Sequence, residues 1–249
     1  MQHGICFLSI APLREEPKNT SEQTSQLLYG EFFSVLKREK SWSRVHITSD
    51  GYEGWLNNKH FQLIDQKTYD QLLKTQKSYA SELVDFIWKN DDILFPTPIG
   101  SLVSSAKILG HRFEGKENQK DQEKSDLVRN ALHYLNSPYL WGGKSPFGID
   151  CSGLVQCVYQ LYGVQLPRDA HQQATHGQTL GFIDESEPGD LAFFDDKEGK
   201  IVHVGIIMPD YHIIHAFGQV RIDRLDQTGV FNKDLNTHTH KLRVIKKVV

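Results

Sequence analysis

Short apolar segments separated by turn residues dominate the first 64 residues of the chain and predict β structure. In residues 42–47 (WSRVHI) the side chains alternate between two classes, which is the period of a strand with two different faces. Further strands are predicted at residues 7–10, 32–36 and 54–56. The dipeptide Asp50-Gly51 is a strong signal for a hairpin turn. Small strands at this spacing predict a small barrel.

The middle of the chain changes its period. Between residues 65 and 90, Tyr69, Leu72, Leu73 and Gln76 recur at i, i+3, i+4 and i+7, which predicts a helix. Residues 91–113 return to a β pattern with prolines at its corners, and residues 78–113 could form a second version of the first barrel. Residues 115–125 are polar and poor in apolar side chains, so we expect a linker there.

The last part of the chain has helices followed by strands. An amphipathic helix is predicted from about residue 126 to 135, and a second helix is predicted to begin at Cys151 and to stop at Gly163. Residues 191–194, 202–207, 212–216 and 242–245 have the composition of strands. This order predicts an α+β domain of about 125 residues.

Composition excludes several classes of function. The 249 residues include 28 Lys and Arg against 31 Asp and Glu, with no basic stripe, so we expect no nucleic-acid partner. No apolar run approaches the roughly 20 residues of a spanning helix, and we expect no membrane insertion. The apolar stretch Ile5–Ala11 has no Lys or Arg before it and no Ala-x-Ala site after it, so we interpret it as a buried first strand. We expect a reducing cytoplasm, or export if a signal peptide was removed from this chain.

Cys151 has the sequence context of a nucleophile. A glycine-rich loop ends at Asp150, a good N-cap, so that Cys151 lies in the first turn of its helix. The free N–H groups and positive dipole end there favour a thiolate, and we expect a lowered thiol pKa. Ser152 and Gly153 are small and would leave the sulfur open to a substrate. The alternative is that Cys151 is a small buried core residue, as we expect for Cys157.

Two histidines could supply the base. His203 and His215 flank a turn signal at residues 208–210 and are symmetric about Pro209, so a tight hairpin would place them opposite one another, with Cβ atoms roughly 5 Å apart. One imidazole could take the thiol proton while the other fixes its tautomer. Structural histidines are one alternative. A zinc site made by one Cys and two His is another, but no Cys-x-x-Cys or His-Glu-x-x-His accompanies them, and His238-Thr-His240 is weak by itself.

At this point the chain resembles a known family. Five segments occur in the order found in the NlpC-type cysteine peptidases: 139–143 (YLWGG), 150–154 (DCSGL), 166–170 (LPRDA), 188–191 (PGDL) and 203–206 (HVGI), followed by 215–216 (HA). The segment 50–55 (DGYEGW) is similar to the bacterial SH3-like barrels attached to such peptidases. The whole resembles γ-D-glutamyl–L-diamino acid endopeptidases with a papain-like α+β domain. We expect an SH3-like barrel at 1–64, a helix, a possible second SH3-like segment and a linker at 65–118, and the peptidase domain at 119–249.

The resemblance also implies roles for individual residues. Cys151 is the expected nucleophile, His203 the base and His215 the orienting third member, while Tyr139 helps to hold the oxyanion. Trp141, Ser152, Arg168 and Asp169 are expected to line the pocket for the γ-D-glutamyl unit, and Glu22 and Tyr52 are expected to hold a free α-amine. Ala170 stands where relatives often have Ser, so one hydroxyl contact is missing.

The expected activity is hydrolysis of the bond between γ-D-glutamate and a diamino acid, either meso-diaminopimelate or L-Lys, in murein peptides with a free N-terminal L-Ala. We expect no metal and no other cofactor, recycling of cell-wall peptides as the role, and a monomer. Two alternatives remain: an acyl or amide transferase that uses the same papain-like site, and a murein-binding module.

Overall fold

The computed structural model describes residues 1–90, 92–118 and 121–249 and divides the chain into two units. Unit 1 comprises Met1–Asn118 with Trp141–Pro146, and unit 2 comprises Gln119–Leu140 with Phe147–Val249. The strands of unit 1 are β1 (Gln2–Cys6), β2 (Ile10–Arg14), β3 (Gln23–Leu28), β4 (Phe32–Arg38), β5 (Trp42–Ile47), β6 (Glu53–Asn57), β7 (Phe61–Ile64), β8 (Val84–Lys89), β9 (Ile93–Pro98), β10 (His111–Phe113) and β11 (Lys144–Ser145), and its helix is α1 (Gln66–Lys74).

Unit 2 contains the remaining elements. Its helices are α2 (Ser125–Leu132), α3 (Cys151–Tyr162) and α4 (Ala170–Gln173). Its strands are β12 (Gly148–Ile149), β13 (Gln178–Leu180), β14 (Leu191–Asp195), β15 (Ile201–Met208), β16 (His212–Phe217), β17 (Gln219–Leu225), β18 (Gly229–Asn232) and β19 (Thr237–Lys247). In the part of the chain that the structure describes, no helix has the length and apolar character that crossing a membrane requires.

Unit 1 is built on a small barrel-like sheet of seven strands in the order β3-β2-β6-β5-β4-β1-β7. Its core is a cluster of buried apolar side chains that includes Leu13, Leu27, Phe33 and Val45. The turn between β5 and β6 contains Gly51 with φ +73°, a left-handed conformation that glycine adopts without strain. The second sheet of this unit has three strands in the order β10-β8-β9.

The turn between β3 and β4 is hydrogen-bonded to the segment that follows β9 in unit 1. The Leu102 N–H donates to the Tyr29 carbonyl oxygen at 2.8 Å, and the Ser105 hydroxyl donates to the Gly30 carbonyl oxygen at 3.0 Å. The Tyr29 hydroxyl lies 2.8 Å from His111 Nδ1. Because Tyr29 is fully buried and packs with Ile87 in one apolar cluster, the two sheets share part of their core.

The short segment 141–146 is fixed to the first sheet of unit 1. The Lys144 ammonium forms an ion pair with Glu31 at 3.0 Å, and both side chains are buried. The Lys144 N–H also donates to Gln26 Oε1 at 2.8 Å. Removing one partner of a buried ion pair strongly destabilises a protein. This ion pair therefore stabilises the position of segment 141–146 on the first sheet.

Unit 2 is an α+β layer structure, which confirms the predicted fold class. Its sheet has the order β13-β19-β14-β15-β16-β17-β18, and the long strand β19 also pairs with β18. The strands from β14 to β19 therefore form a closed circuit of antiparallel pairs. Helix α3 packs on β15 and β16, and its buried face includes Leu154, Val155 and Val158.

Helix α3 has the bounds that the sequence predicts, whereas other elements differ. The predicted strand at 7–10 is wrong, because residues 7–9 form the bend between β1 and β2. The helix predicted within 65–90 is only nine residues long, since Thr75 already has an extended backbone. Strand β8 lies within residues 65–90, for which only a helical pattern is predicted, and the pattern also does not anticipate β3, β7, β11, β12, β13, β17 and β18. The predicted linker at 115–125 and the start of the predicted domain at 119 include residues 119–120, which lie outside the described residues.

Candidate active site

The Cys151 side chain lies at the beginning of α3, where a capped helix end positions it. Asp150 is the N-cap, and its Oδ1 accepts a 2.7 Å hydrogen bond from the Gly153 N–H. At the other end of the helix Gly163 has φ +99° and terminates it. The backbone of residue 149 is fixed in turn, since the Ile149 N–H donates to the Pro138 carbonyl oxygen at 3.1 Å. The hydrogen bonds of residues 149–153 therefore fix the position of Cys151 in the first turn of α3.

Arg168 contacts the residues at the N-terminal end of α3. Its guanidinium donates to both carboxylate oxygens of Asp150, at 3.0 and 2.6 Å, and to the Ser152 hydroxyl at 2.9 Å. Arg168 is 1% exposed, so the pair with Asp150 is buried. These contacts place the Arg168 guanidinium against the residues that begin α3, and the place in the substrate pocket that the resemblance implies stays a prediction.

The two histidines meet, but not as directly opposed residues. In the hairpin of β15 and β16, Gly205 faces His215 and Met208 faces His212, so His203 is diagonal to His215. The expected symmetry about Pro209 is wrong because the turn includes Asp210 and Tyr211, both with φ of 56°. The register moves by two positions, and an even shift keeps both imidazoles on the same face of the sheet. His203 Nε2 lies 2.8 Å from His215 Nδ1.

A carboxylate continues this pair. His215 Nε2 lies 3.1 Å from Asp223 Oδ2, and Arg221 donates to both oxygens of Asp223, at 2.7 and 3.0 Å. His215 is fully buried and Asp223 is 5% exposed. The His215 bond and the Arg221 pair hold the pKa of Asp223 below its usual 3.8 against the opposing effect of burial, so it is a carboxylate that only accepts hydrogen bonds.

This chain of hydrogen bonds fixes the tautomers of both rings. Asp223 accepts from His215 Nε2–H, which leaves His215 Nδ1 as an acceptor for His203 Nε2–H. His203 Nδ1 then carries the lone pair and can act as a base. Asp223 is not among the site residues predicted from the sequence. Arg221 and Asp223 alternate on a strand, but no local sequence pattern connects them to His203.

The Cys151 thiol and the His203 imidazole are both neutral at rest. The Val204 N–H, in the residue after His203, lies against the Cys151 sulfur. Burial, and next the Asp150 charge, raise the pKa of the Cys151 thiol to about 12, although the Val204 and Ser152 N–H groups oppose this. The expected lowering is therefore wrong for the resting site. Burial, followed by His215 and His240, holds the pKa of His203 well below 6.5.

Tyr139 lies beside the nucleophile. Burial raises its pKa to about 12, and the next causes are Cys151 and Asp150, which places the phenol within their electrostatic reach. The Tyr139 N–H donates to the Gly218 carbonyl oxygen at 3.0 Å, and Tyr139 forms a parallel bridge with Ile149. A phenol that keeps its proton at neutral pH can donate a hydrogen bond to an oxyanion.

A third histidine also reaches this cluster. His240 on β19 stacks on His203 with ring centroids 4.1 Å apart, and it meets His215 edge-on at 5.6 Å. The pKa of His240 is lowered to about 4, first by burial and then by His215. The sequence pattern flagged His238-Thr-His240 only as a weak metal signal. Closure of the sheet by β19 brings His240 to the site, and no local pattern encodes that closure.

The other residues implied by the resemblance fall into two groups. In unit 2, Asp169 is the N-cap of α4, and its N–H donates to Gln172 Oε1 at 3.3 Å. In unit 1, Glu22 Oε1 accepts a 2.6 Å hydrogen bond from the indole Nε1 of Trp141, whose side chain is exposed. The Tyr52 ring packs against the apolar core of the first sheet. The structure thus joins Glu22 to Trp141.

Comparison with known proteins finds one family match in the C-terminal part of the chain and one in the N-terminal part. Residues 136–239 match the NlpC/P60 family, and residues 13–61 match the bacterial dipeptidyl-peptidase SH3 domain. The chain is 29% identical to a gamma-D-glutamyl-L-lysine dipeptidyl-peptidase of Bacillus subtilis (strain 168), over 77% of this chain and 71% of the relative. It is 28% identical to dipeptidyl-peptidase 6 of Lysinibacillus sphaericus, over 94% of this chain and 96% of the relative.

A solved structure has the same fold. The crystal structure of an NlpC/P60 family protein from Bacillus cereus ATCC 10987 is similar with a TM-score of 0.77, at 19% identity over 99% of each chain.

Proposed function

The chain is a cysteine peptidase with an NlpC/P60 domain and a bacterial SH3 domain, and on that premise we propose that it hydrolyses the γ-D-glutamyl–diamino acid bond of murein peptides. The observation that carries the proposal is the hydrogen-bonded series His203–His215–Asp223 beside the Cys151 thiol. The bond itself is proposed from the relatives, one of which is named for a γ-D-glutamyl-L-lysine substrate.

In the proposed reaction His203 acts as base and then as acid. Cys151 Sγ attacks the carbonyl carbon of the γ-D-glutamyl unit while its proton passes to His203 Nδ1. Because thiol and imidazole are both neutral at rest, proton transfer accompanies the attack. The oxyanion accepts hydrogen bonds from the Cys151 N–H and the Tyr139 hydroxyl. His203 then protonates the leaving amine, and water, deprotonated by His203, hydrolyses the thioester.

Asp223 makes this exchange of protons possible. Its negative charge stabilises the imidazolium that His203 becomes, through His215, and it keeps His203 Nδ1 available for the next cycle. Arg168 and Ser152 act at one remove, because they hold Asp150 and with it the start of α3. We propose Asp169 as a contact for the γ-D-glutamyl unit.

Specificity for a free N-terminal amine is assigned to unit 1. We propose that Glu22 and Tyr52 hold the ammonium of an N-terminal L-Ala, with Trp141 beside them. The Trp141 indole fixes one oxygen of the Glu22 carboxylate, which restricts its rotation. A carboxylate with a fixed orientation offsets the cost of removing water from the ammonium. An acetylated amine carries no charge and gains nothing from that carboxylate.

The domain organisation and cellular role complete the proposal. We propose an SH3-like barrel at 1–64, a second segment at 65–118 and the peptidase domain at 119–249. The protein then acts as a monomer in the cytoplasm on imported cell-wall peptides, without a nucleic-acid partner.

The test is cleavage of L-Ala-γ-D-Glu peptides that end in meso-diaminopimelate or in L-Lys, each with a free and an N-acetylated Ala. Release of the diamino acid is followed by mass spectrometry, with the Cys151→Ala variant as control. Cleavage that is restricted to the free-amine peptides and lost in the variant supports the whole proposal. Equal cleavage of the acetylated peptides would refute the role of Glu22 and Tyr52. Transfer to an added amine instead of water would favour a transferase, and binding without turnover a murein-binding module.

A further inference from the structure

Three imidazoles converge at one point of unit 2. His203 on β15, His215 on β16 and His240 on β19 each offer one ring nitrogen, and these three nitrogens lie within 4.8 Å of one another. The His203 and His240 rings stack at an angle of 26°, and His215 stands at 78° and 89° to them. The peptidase reaction uses only the first two of these histidines, so the position of His240 is unexplained by that reaction.

Hydrogen bonds already prepare two of these rings as metal ligands. His215 donates Nε2–H to Asp223 and accepts from His203 at Nδ1, so this Nδ1 lone pair can bind an ion once the His203 proton is displaced. A carboxylate–imidazole pair of this kind is the usual support for a metal-bound histidine. His240 Nδ1 lies 2.9 Å from the Thr239 hydroxyl, which occupies that nitrogen and leaves Nε2 for a ligand. Both arrangements fix ring orientation, which reduces the entropy lost when an ion binds.

We propose that His203, His215 and His240 bind one divalent transition-metal ion of the Zn²⁺ class, and that the bound ion switches the peptidase off. Three neutral imidazoles with an open fourth position form a donor set that suits Zn²⁺, Co²⁺ and Ni²⁺. Metal–nitrogen bonds of about 2.0–2.1 Å separate tetrahedral ligands by roughly 3.4 Å. The 2.8 Å gap between His203 and His215 therefore opens slightly, and the nitrogen of His240 already lies within 4.8 Å of the other two.

Inhibition follows from the proton on His203. A metal at His203 Nε2 displaces the proton that is donated to His215, and the neutral ring then carries its one proton on Nδ1. That nitrogen can no longer accept the Cys151 proton, so the nucleophile is not activated. Inhibition rests on the proposed function, whereas binding of the ion does not.

Metal binding is measured directly, without an activity assay. The full-length protein is titrated with ZnCl₂ by isothermal calorimetry in a non-chelating buffer, and we expect one ion per chain. His240→Gln removes a ligand and is expected to weaken binding at least tenfold. Loss of a partner that only supports a ligand already costs about that much. His238→Gln, on the same strand, is the matched control and is expected to leave the affinity unchanged. Circular dichroism checks that each variant is folded.

Two further variants separate this site from a simpler one. A thiol with one histidine could also hold zinc, and in that case Cys151→Ala would abolish binding; the three-histidine site predicts that Cys151→Ala still binds. Asp223→Asn is expected to weaken binding by about 10- to 100-fold, because it removes the carboxylate behind His215. The absence of saturable binding by the wild-type protein, loss in Cys151→Ala, or unchanged affinity in both His240→Gln and Asp223→Asn would overturn the proposal.

Discussion

Replacement of Asp223 by Asn should slow the reaction without weakening substrate binding. The carboxylate lies 3.1 Å from His215 Nε2, and His215 lies 2.8 Å from His203, so the charge is about 8 Å from His203 Nε2 along the series. With an effective dielectric constant of about 20, a charge at that distance stabilises the His203 imidazolium by roughly 2 kcal/mol. The corresponding fall in kcat is about 30-fold.

Arg221 makes this value a lower limit. In the variant its guanidinium loses the carboxylate that it contacts at 2.7 and 3.0 Å, and its charge then opposes the imidazolium. Asn keeps the size of Asp and can still accept from His215 Nε2–H through its oxygen, so the tautomers of the two rings need not change. The expected loss is therefore electrostatic.

The assay is the pH dependence of kcat and KM on the free-amine tripeptide. Removal of the carboxylate lowers the pKa of His203 further, so the acid limb of the profile should move to lower pH by about 1.5 units while kcat falls. A variant that merely loosens the fold would lower activity without moving that limb. KM should stay the same, because Asp223 contacts no substrate in the proposed reaction.

Asp234→Asn is the matched control for this experiment. Asp234 contacts the same Arg221 at 2.7 Å but is exposed and has no bond to His215. We expect wild-type kcat from it. A loss of less than about threefold in Asp223→Asn, or an equal loss in both variants, would refute the reasoning that Asp223 acts through His215.

The remaining predictions concern stability. Arg168→Met should destabilise the start of α3 by about 3–5 kcal/mol, because it removes the guanidinium that neutralises the buried Asp150 carboxylate. Faster amide hydrogen exchange in α3 would be the readout, and unchanged exchange would contradict the role of this ion pair. Gly142→Ala should destabilise unit 1 by at least about 1–2 kcal/mol, since Gly142 has φ +74° and an added Cβ would lie 2.5 Å from the Gln23 carbonyl oxygen. Tryptophan fluorescence during guanidinium unfolding can measure this, because all four tryptophans belong to unit 1. Finally, the pKa values of His203 and His240 are lowered in the folded state, so the unfolded chain binds more protons below pH 6.5 and the free energy of unfolding should fall as the pH drops from there toward 4. His240→Gln should flatten that slope in denaturant titrations, and an equal slope in both proteins would show that His240 is not neutral when folded.

Features that depend only on neighbouring residues could be predicted before the fold was known. Asp150 as N-cap, Cys151 in the first turn and Gly163 at the end of α3 follow from capping preferences that act within a few residues. The α+β order of unit 2 follows from periodicity in the same way. The family resemblance extends over ordered motifs, and the matches to the NlpC/P60 family and to the SH3 domain confirm it.

Contacts between distant parts of the chain select the side chains that complete the site. The period of a strand tells which residues share a face but not which residues lie opposite one another, and the turn at Asp210 and Tyr211 moved the His203–His215 register by two positions. Asp223 reaches His215 through pairing of β16 with β17, and His240 reaches His203 through the closure of the sheet by β19.

The protonation state of the Cys151 thiol also could not be predicted from the sequence. A helix N-terminus favours a thiolate, but the burial of Cys151 beside Asp150 outweighs that effect and raises its pKa. Burial and pairing across strands are set by contacts between distant parts of the chain, and local patterns of residues carry no record of them.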